Sequence, residues 1–217
     1  AQIALGEVGG IRVDNYMQTS VEGIYAVGDA VEFQHPLLNK PWLNLLAGPA
    51  NRQARIAADN MVFGNHIEYE GSIGTAIAKV FDITVASTGV PAKRLKELGI
   101  PYLTATIHPN SHAQYYPGAK PMAIKIIFSP DNGKLLGAQI VGVDGVDKRI
   151  DSYAMAIKQR LSITSLMEIE HAYAPPYSSA KDPVAISAYV ASNILNGKMT
   201  PLYWRDLVST NREERTL

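Results

Sequence analysis

Between Gly74 and Val143 the chain consists mostly of short apolar runs separated by turn residues, and longer helices come only afterwards. Gly74 to Val80 and Ile83 to Thr88 read as paired strands, and Tyr102 to His108, Met122 to Ser129 and Leu135 to Val143 as further ones. The turn Ser129-Pro130-Asp131-Asn132-Gly133 joins the last two as a hairpin, because Asn-Gly suits the positive φ such turns need. A short helix, Pro91 to Leu98, interrupts the series, with Pro91 at its start and Gly99 at its stop. Helices are then expected over about Gly145 to Arg160, Ser165 to Ile169 and Pro183 to Leu195, with Lys181 and Asp182 capping the last. Strands in succession followed by helices specify an α+β layer with an antiparallel sheet, not a βαβ repeat.

The first seventy residues have a different texture, and a boundary is expected after Tyr69-Glu70-Gly71. Ile11 to Asp14 and Ile24 to Val27 read as two short strands, the second buried and closed by Gly28. Gly28 would let the backbone approach a ligand, and Asp29 would accept hydrogen bonds from sugar-like hydroxyls at the strand's carboxyl end, where nucleotide sites cluster. After a loop through His35 and Pro36, a helix should begin near Pro49 and stop at Gly64. Ala50, Ala54, Ala57, Ala58 and Met61 would form its packing face. Its start, Leu46-Ala47-Gly48-Pro49-Ala50, offers unpaired N–H groups and the positive end of the dipole to an anion.

Composition excludes several classes of function. Twenty basic residues balance twenty acidic ones, so neither nucleic acid nor an anionic membrane is an expected partner. No apolar run approaches the roughly 18 residues of a membrane span, and with no charged n-region and apolar h-region visible at the amino terminus a secretion signal is not expected. A cytoplasmic address is expected. Cysteine is absent, so thiolate catalysis, disulfides and cysteine–zinc sites cannot arise within this chain. No Gly-x-Gly-x-x-Gly follows a strand and no Gly-x-Ser-x-Gly elbow is present. His108 and His112 stand four apart but flank Pro109, off any helix, and with His171 they make no metal set. Arg52, Arg55, Lys148 and Arg149 are expected to be solvated.

Two tyrosine-rich loops carry the remaining chemistry. They are His112-Ala113-Gln114-Tyr115-Tyr116-Pro117-Gly118 and Glu170-His171-Ala172-Tyr173-Ala174-Pro175-Pro176-Tyr177. A phenol stays protonated near neutral pH and can donate a hydrogen bond or a proton to a sulfur atom. The residues alone do not separate Tyr115 from Tyr116, or Tyr173 from Tyr177.

The run from Gly10 to Ala30 resembles the second FAD-contacting segment of the flavin-dependent pyridine nucleotide–disulfide oxidoreductases, and the strand-rich region resembles their dimerisation domain. The likeness covers nearly the whole chain, from about Gly6 to Lys198. Both tyrosine loops are similar to those of the coenzyme A-disulfide reductases and the related NAD(P)H-dependent sulfur and persulfide reductases. The resemblance implies FAD and NAD(P)H as cofactors, with Gly28 and Asp29 at the flavin's ribityl chain and Leu46, Ala47 and Gly48 facing its pyrimidine ring. It implies a homodimer in which Tyr115 and Tyr173 reach the partner's cysteine and flavin, with coenzyme A disulfide or persulfide as substrate. The division expected is 1–70 as a remnant of an FAD-binding α/β domain, 71–198 as the dimerisation domain, and 199–217 as a linker that resembles the lead into a rhodanese domain. On this reading the chain is the carboxyl-terminal part of a longer flavoenzyme, inactive and without bound flavin by itself. An NADH oxidase or peroxidase on the same scaffold, or a self-associating module without chemistry, are the alternatives.

Overall fold

A computed structural model describes residues 2–203. The linker expectation for 199–217 therefore falls mostly outside the described residues. Five strands form one antiparallel sheet in the order β4-β5-β8-β7-β6: β4 (Ala76–Val80), β5 (Ile83–Gly89), β6 (Leu103–Ile107), β7 (Met122–Phe128) and β8 (Leu135–Gly142). Each agrees with its sequence expectation to within two residues at either end. The β7–β8 turn closes through Ser129 and Lys134, with Gly133 at φ +65°. Between β5 and β6 runs the short helix α2 (Ala92–Glu97), which docks Leu95 beside Ile127.

Three helices follow the sheet: α3 (Val146–Lys158), α4 (Ile163–Met167) and α5 (Pro183–Leu195). The inward face of α3 is Val146, Arg149, Ile150, Tyr153, Ala156 and Ile157, spaced as an amphipathic helix requires. On α5 the completely enclosed residues are small or β-branched (Val184, Ser187, Ala188, Ala191), so its backbone can lie close to its neighbours. Both helices cover the face of the sheet that carries Ile124, Ile126, Phe128 and Ile140. Each of these side chains contributes about 1.5–3 kcal/mol by leaving water. The opposite face is covered by α2 only at Ile127, and around β4, β5 and the end of β8 nothing among the described residues covers it. There Val80, Ile83, Val85 and Val141 remain exposed, aligned by the pairings Val80–Ile83 and Val85–Val141.

The amino-terminal part has its own small core of Met17, Phe33, Ile56, Ala57 and Tyr69. Its three-stranded sheet, β1 (Ile11–Arg12), β2 (Val31–Gln34) and β3 (Pro41–Trp42), differs from expectation. Two of these strands occupy what reads as loop in the sequence. The buried strand expected at Ile24–Val27 does not form: Tyr25 makes one isolated bridge to Gln18, and Ile24 and Val27 are exposed. An apolar run becomes a strand only by pairing along its length, and here it meets one residue of a neighbouring turn.

Helix α1 (Ala47–Phe63) starts two residues ahead of Pro49, and of the packing face expected only Ala57 is buried. Gln53, Ile56, Ala57 and Asn60 point inward, while Ala54, Ala58 and Met61 are exposed. The polar pair decides this orientation. Asn60 donates to the carbonyls of Tyr16 and Ile67 and accepts from the N–H groups of His66 and Ile67, while Gln53 holds the turn at Gly28.

Candidate active site

Gly28, Asp29 and Ala30 form a 3-10 turn seated against the start of α1. Gly28 has φ +83°, a conformation open to glycine and strained for other residues. An added Cβ would meet only Ala50, at 3.8 Å, so the glycine is required by the turn and not by crowding. Its N–H donates to Gln53 Oε1 at 2.7 Å and is already engaged. Asp29 is exposed, and its carboxylate has no hydrogen-bond partner among the described residues. Nearby, Leu46 occupies the N-cap position of α1 with an extended backbone, and its aliphatic side chain accepts nothing. The first turn carries no acidic residue, and Ala47 and Gly48 are exposed. A helix of seventeen residues thus presents an uncapped amino end beside a free carboxylate.

The second cluster lies in the two tyrosine loops. Tyr115 Oη and Tyr173 Oη are 3.2 Å apart, and both side chains face solvent, 76% and 47% exposed. The hydrogen bond to Tyr173 raises the Tyr115 phenol above its usual value of 10, so it keeps its proton at neutral pH. The neighbouring tyrosines are placed otherwise. Tyr116 sets its ring edge-on to His112 at 5.8 Å, and Tyr177 projects into solvent. Of the pairs open in the sequence, Tyr115 with Tyr173 is the one joined by a hydrogen bond. Among the described residues, no group of three or more histidine or carboxylate side chains converges as a metal site.

What holds these loops is not apparent from sequence. Arg149, expected in solvent, is 1% exposed. Its Nη1 donates to the carbonyl of Gly145 at 3.0 Å, and its Nη2 donates to Ser111 O at 2.8 Å and Asp182 Oδ2 at 3.1 Å. Asp182 also caps α5 through the Val184 N–H at 2.9 Å and accepts from Ser178 Oγ at 2.6 Å. Burial pushes the Asp182 carboxyl up, but the Ser178 hydroxyl, the Val184 N–H, Arg149 and His171 outweigh it, and the net displacement is downward. Lys181, also expected at this cap, is exposed and takes no part in it. The sequence did contain a signal: Arg149 stands three residues after Val146 and four before Tyr153, on the apolar side of α3.

Comparison with known proteins gives this arrangement a family. Residues 75–184 match the dimerisation domain of the pyridine nucleotide-disulphide oxidoreductases, and residues 1–56 match a second domain description of the same name. A coenzyme A disulfide reductase of Staphylococcus aureus (strain bovine RF122 / ET3-1) is 38% identical over 191 residues, 88% of this chain and 43% of that protein. The crystal structure of reduced Bacillus anthracis CoADR-RHD superposes with a TM-score of 0.92 at 48% identity, covering 95% of this chain and 37% of that one. A NAD-dependent persulfide reductase from A. fulgidus gives 0.89 at 40% identity, over 92% of this chain and 37% of that one. The chain therefore spans less than half the length of these relatives. It belongs to the pyridine nucleotide-disulphide oxidoreductases, and its α+β layer is that family's dimerisation domain.

Proposed function

We propose that this chain is the dimer-forming portion of a flavin-dependent NAD(P)H:disulfide oxidoreductase that acts on coenzyme A disulfide or a coenzyme A persulfide in the cytoplasm. The observation that carries the reading is the Tyr115–Tyr173 pair, two phenols 3.2 Å apart on an exposed surface. The nucleophilic cysteine, absent from this sequence, belongs to the remainder of a longer protein. Ile24, Val27 and the exposed trio Met61, Val62 and Phe63 support that view, since apolar side chains grouped in this way fit a covering by further chain. We place the division between the two units at Gly71, between the small core around Phe33 and the larger one around Phe128.

The bare part of that sheet face supports self-association. Val80, Ile83, Val85 and Val141 form an apolar surface that a second copy would cover isologously about a two-fold axis. The dimer in turn gives the tyrosines something to act on: each subunit lends Tyr115 and Tyr173 to the sulfur centre of the other.

The flavin site is consistent with the residues present. Asp29 would accept hydrogen bonds from the ribityl hydroxyls of FAD, and the uncapped α1 end at Leu46, Ala47 and Gly48 would face its electron-rich ring. When bound, FAD supplies the two-electron relay between NAD(P)H and a disulfide. The chain's own contribution is to the sulfur chemistry. When the substrate disulfide opens, the phenol whose O–H is not used in the Tyr115–Tyr173 bond donates to the departing thiolate, and the O–H of the other, donated to it, supports that bond and keeps a proton within reach.

The test is turnover of coenzyme A disulfide by the longest natural protein that carries this sequence, with Tyr115→Phe and Tyr173→Phe. Loss of about 10²-fold in kcat, within the range for a positioned acid, is expected for the double variant, with folding unchanged. Wild-type turnover at background level, with rapid oxygen consumption, would assign the protein to the oxidase alternative.

A further inference from the structure

The geometry points to Arg149, together with Asp182 and Ser178, as the positioning group that keeps Tyr115 and Tyr173 in hydrogen-bonding register. The functional consequence rests on the reading of those two tyrosines given above, but the positioning does not.

Three features carry it. First, the guanidinium reaches both loops from a third element. Ser111, whose carbonyl it holds, lies four residues before Tyr115, and Ser178, 3.5 Å from Nη2, lies five residues after Tyr173. Second, the loops are joined by hydrogen bonds at three levels, stacked outward from the core. The deepest is Arg149 with Ser111, Ser178 and Asp182; the next is the Ala113 N–H to Ser178 O at 2.8 Å; the outermost is the phenol pair. The two inner levels are buried and the phenols are not. Solvent competes with the outer bond, so its geometry must be imposed from below.

Third, the cluster is a poor device for stability alone. An ion pair this enclosed contributes little more than well-packed apolar side chains would, because desolvation offsets the attraction. The site is nevertheless shaped for this side chain. Gly145 opens α3 in the left-handed region at φ +69°, and a Cβ there would occupy the place of Nη1. What the arginine supplies that an apolar residue cannot is direction: planar donors fixed on acceptors from both loops and from the α5 cap.

The test separates order at the phenols from folding. The chain is labelled with carbon-13 at the tyrosine Cζ, and the titration of Tyr115 is followed by NMR, with Tyr173→Phe as the reference for a broken pair. Arg149→Met combined with Asp182→Leu removes both charges, so neither is left buried alone, and Ser178→Ala removes only the hydroxyl tie. Wild-type Tyr115 is expected to titrate above the ordinary tyrosine value. In the folded variants it should return to the position it has in Tyr173→Phe, while the enclosed Tyr153 signal stays in place. In the longer protein the same variants should lower kcat about tenfold, against the 10²-fold or more of a full general acid, with KM unchanged. A folded variant whose Tyr115 titrates as in wild type would overturn the inference. If the double variant does not fold, Ser178→Ala decides by the same two outcomes. The NMR readout needs no substrate. Tyrosine variants with normal turnover would therefore refute the proposed function and leave the positioning role standing.

Discussion

His35 is enclosed against the Trp42 ring at a centroid distance of 4.9 Å, and its Nδ1 accepts the Leu37 N–H at 3.2 Å. Burial lowers its imidazole to about 4, so the folded chain holds it neutral. The unfolded chain takes up a proton on this residue below 6.5 and the folded chain only near 4. Stability therefore falls as the pH is lowered through that window. His35→Asn keeps an acceptor but cannot charge, and should flatten the loss between pH 7 and 5 measured by chemical denaturation. An unchanged slope would contradict the assignment. Asp182 acts lower down. Its folded value is depressed, so its contribution is present above its unfolded value of 3.8 and is lost as the pH falls through the folded one. At this scale the sequence was readable where chemistry has few alternatives, as at Asp182, a cap ahead of a first-turn proline. For Arg149 it offered only a position on the apolar side of α3, because a charged residue there acquires a reason to be buried only when Ser111, Ser178 and Asp182 arrive from distant segments.

Elements were legible in proportion to how far they are stabilised by their own neighbours. The five long strands and α3 and α5 carry periodic apolar patterns and explicit turn residues, and they form where those signals lie. Ile24–Val27 carries the composition of a strand without a strand to pair with, and β2 and β3 exist through pairing with each other that no local pattern announces. In α1 the alanines suggested a packing face, but two polar side chains with buried partners set the orientation. The close approach of β5 to β8 gives a sharper test of the sheet. Gly89 has φ +74°, and a Cβ there would collide with the Leu136 carbonyl and lie 2.9 Å from Gly137 Cα. Gly89→Ala should cost about 1–2 kcal/mol for the left-handed backbone and about 1–3 kcal/mol for overpacking. Gly99→Ala, at φ +66° with open space around it, carries only the first cost. Equal losses in equilibrium denaturation would show that the β5–β8 contact is looser than described.

For the molecule as a whole, three surfaces have no counterpart among the described residues: the bare part of the sheet face around β4 and β5, the exposed end of α1, and the solvent-facing phenol pair. Supplying a second copy and the rest of a longer protein would account for all three, and this is the reason for reading the chain as one partner in a shared active site. The most direct measurement is complementation in the longer protein. Subunits carrying Tyr115→Phe and Tyr173→Phe are mixed and re-paired with subunits whose nucleophilic cysteine is replaced by serine. Neither parent dimer should reduce coenzyme A disulfide appreciably. Random pairing should restore roughly a quarter of wild-type activity, since half the dimers are mixed and each of those holds one complete site built across the two-fold. Mixed dimers that form, as shown by differently tagged subunits, and yet stay inactive would contradict the account.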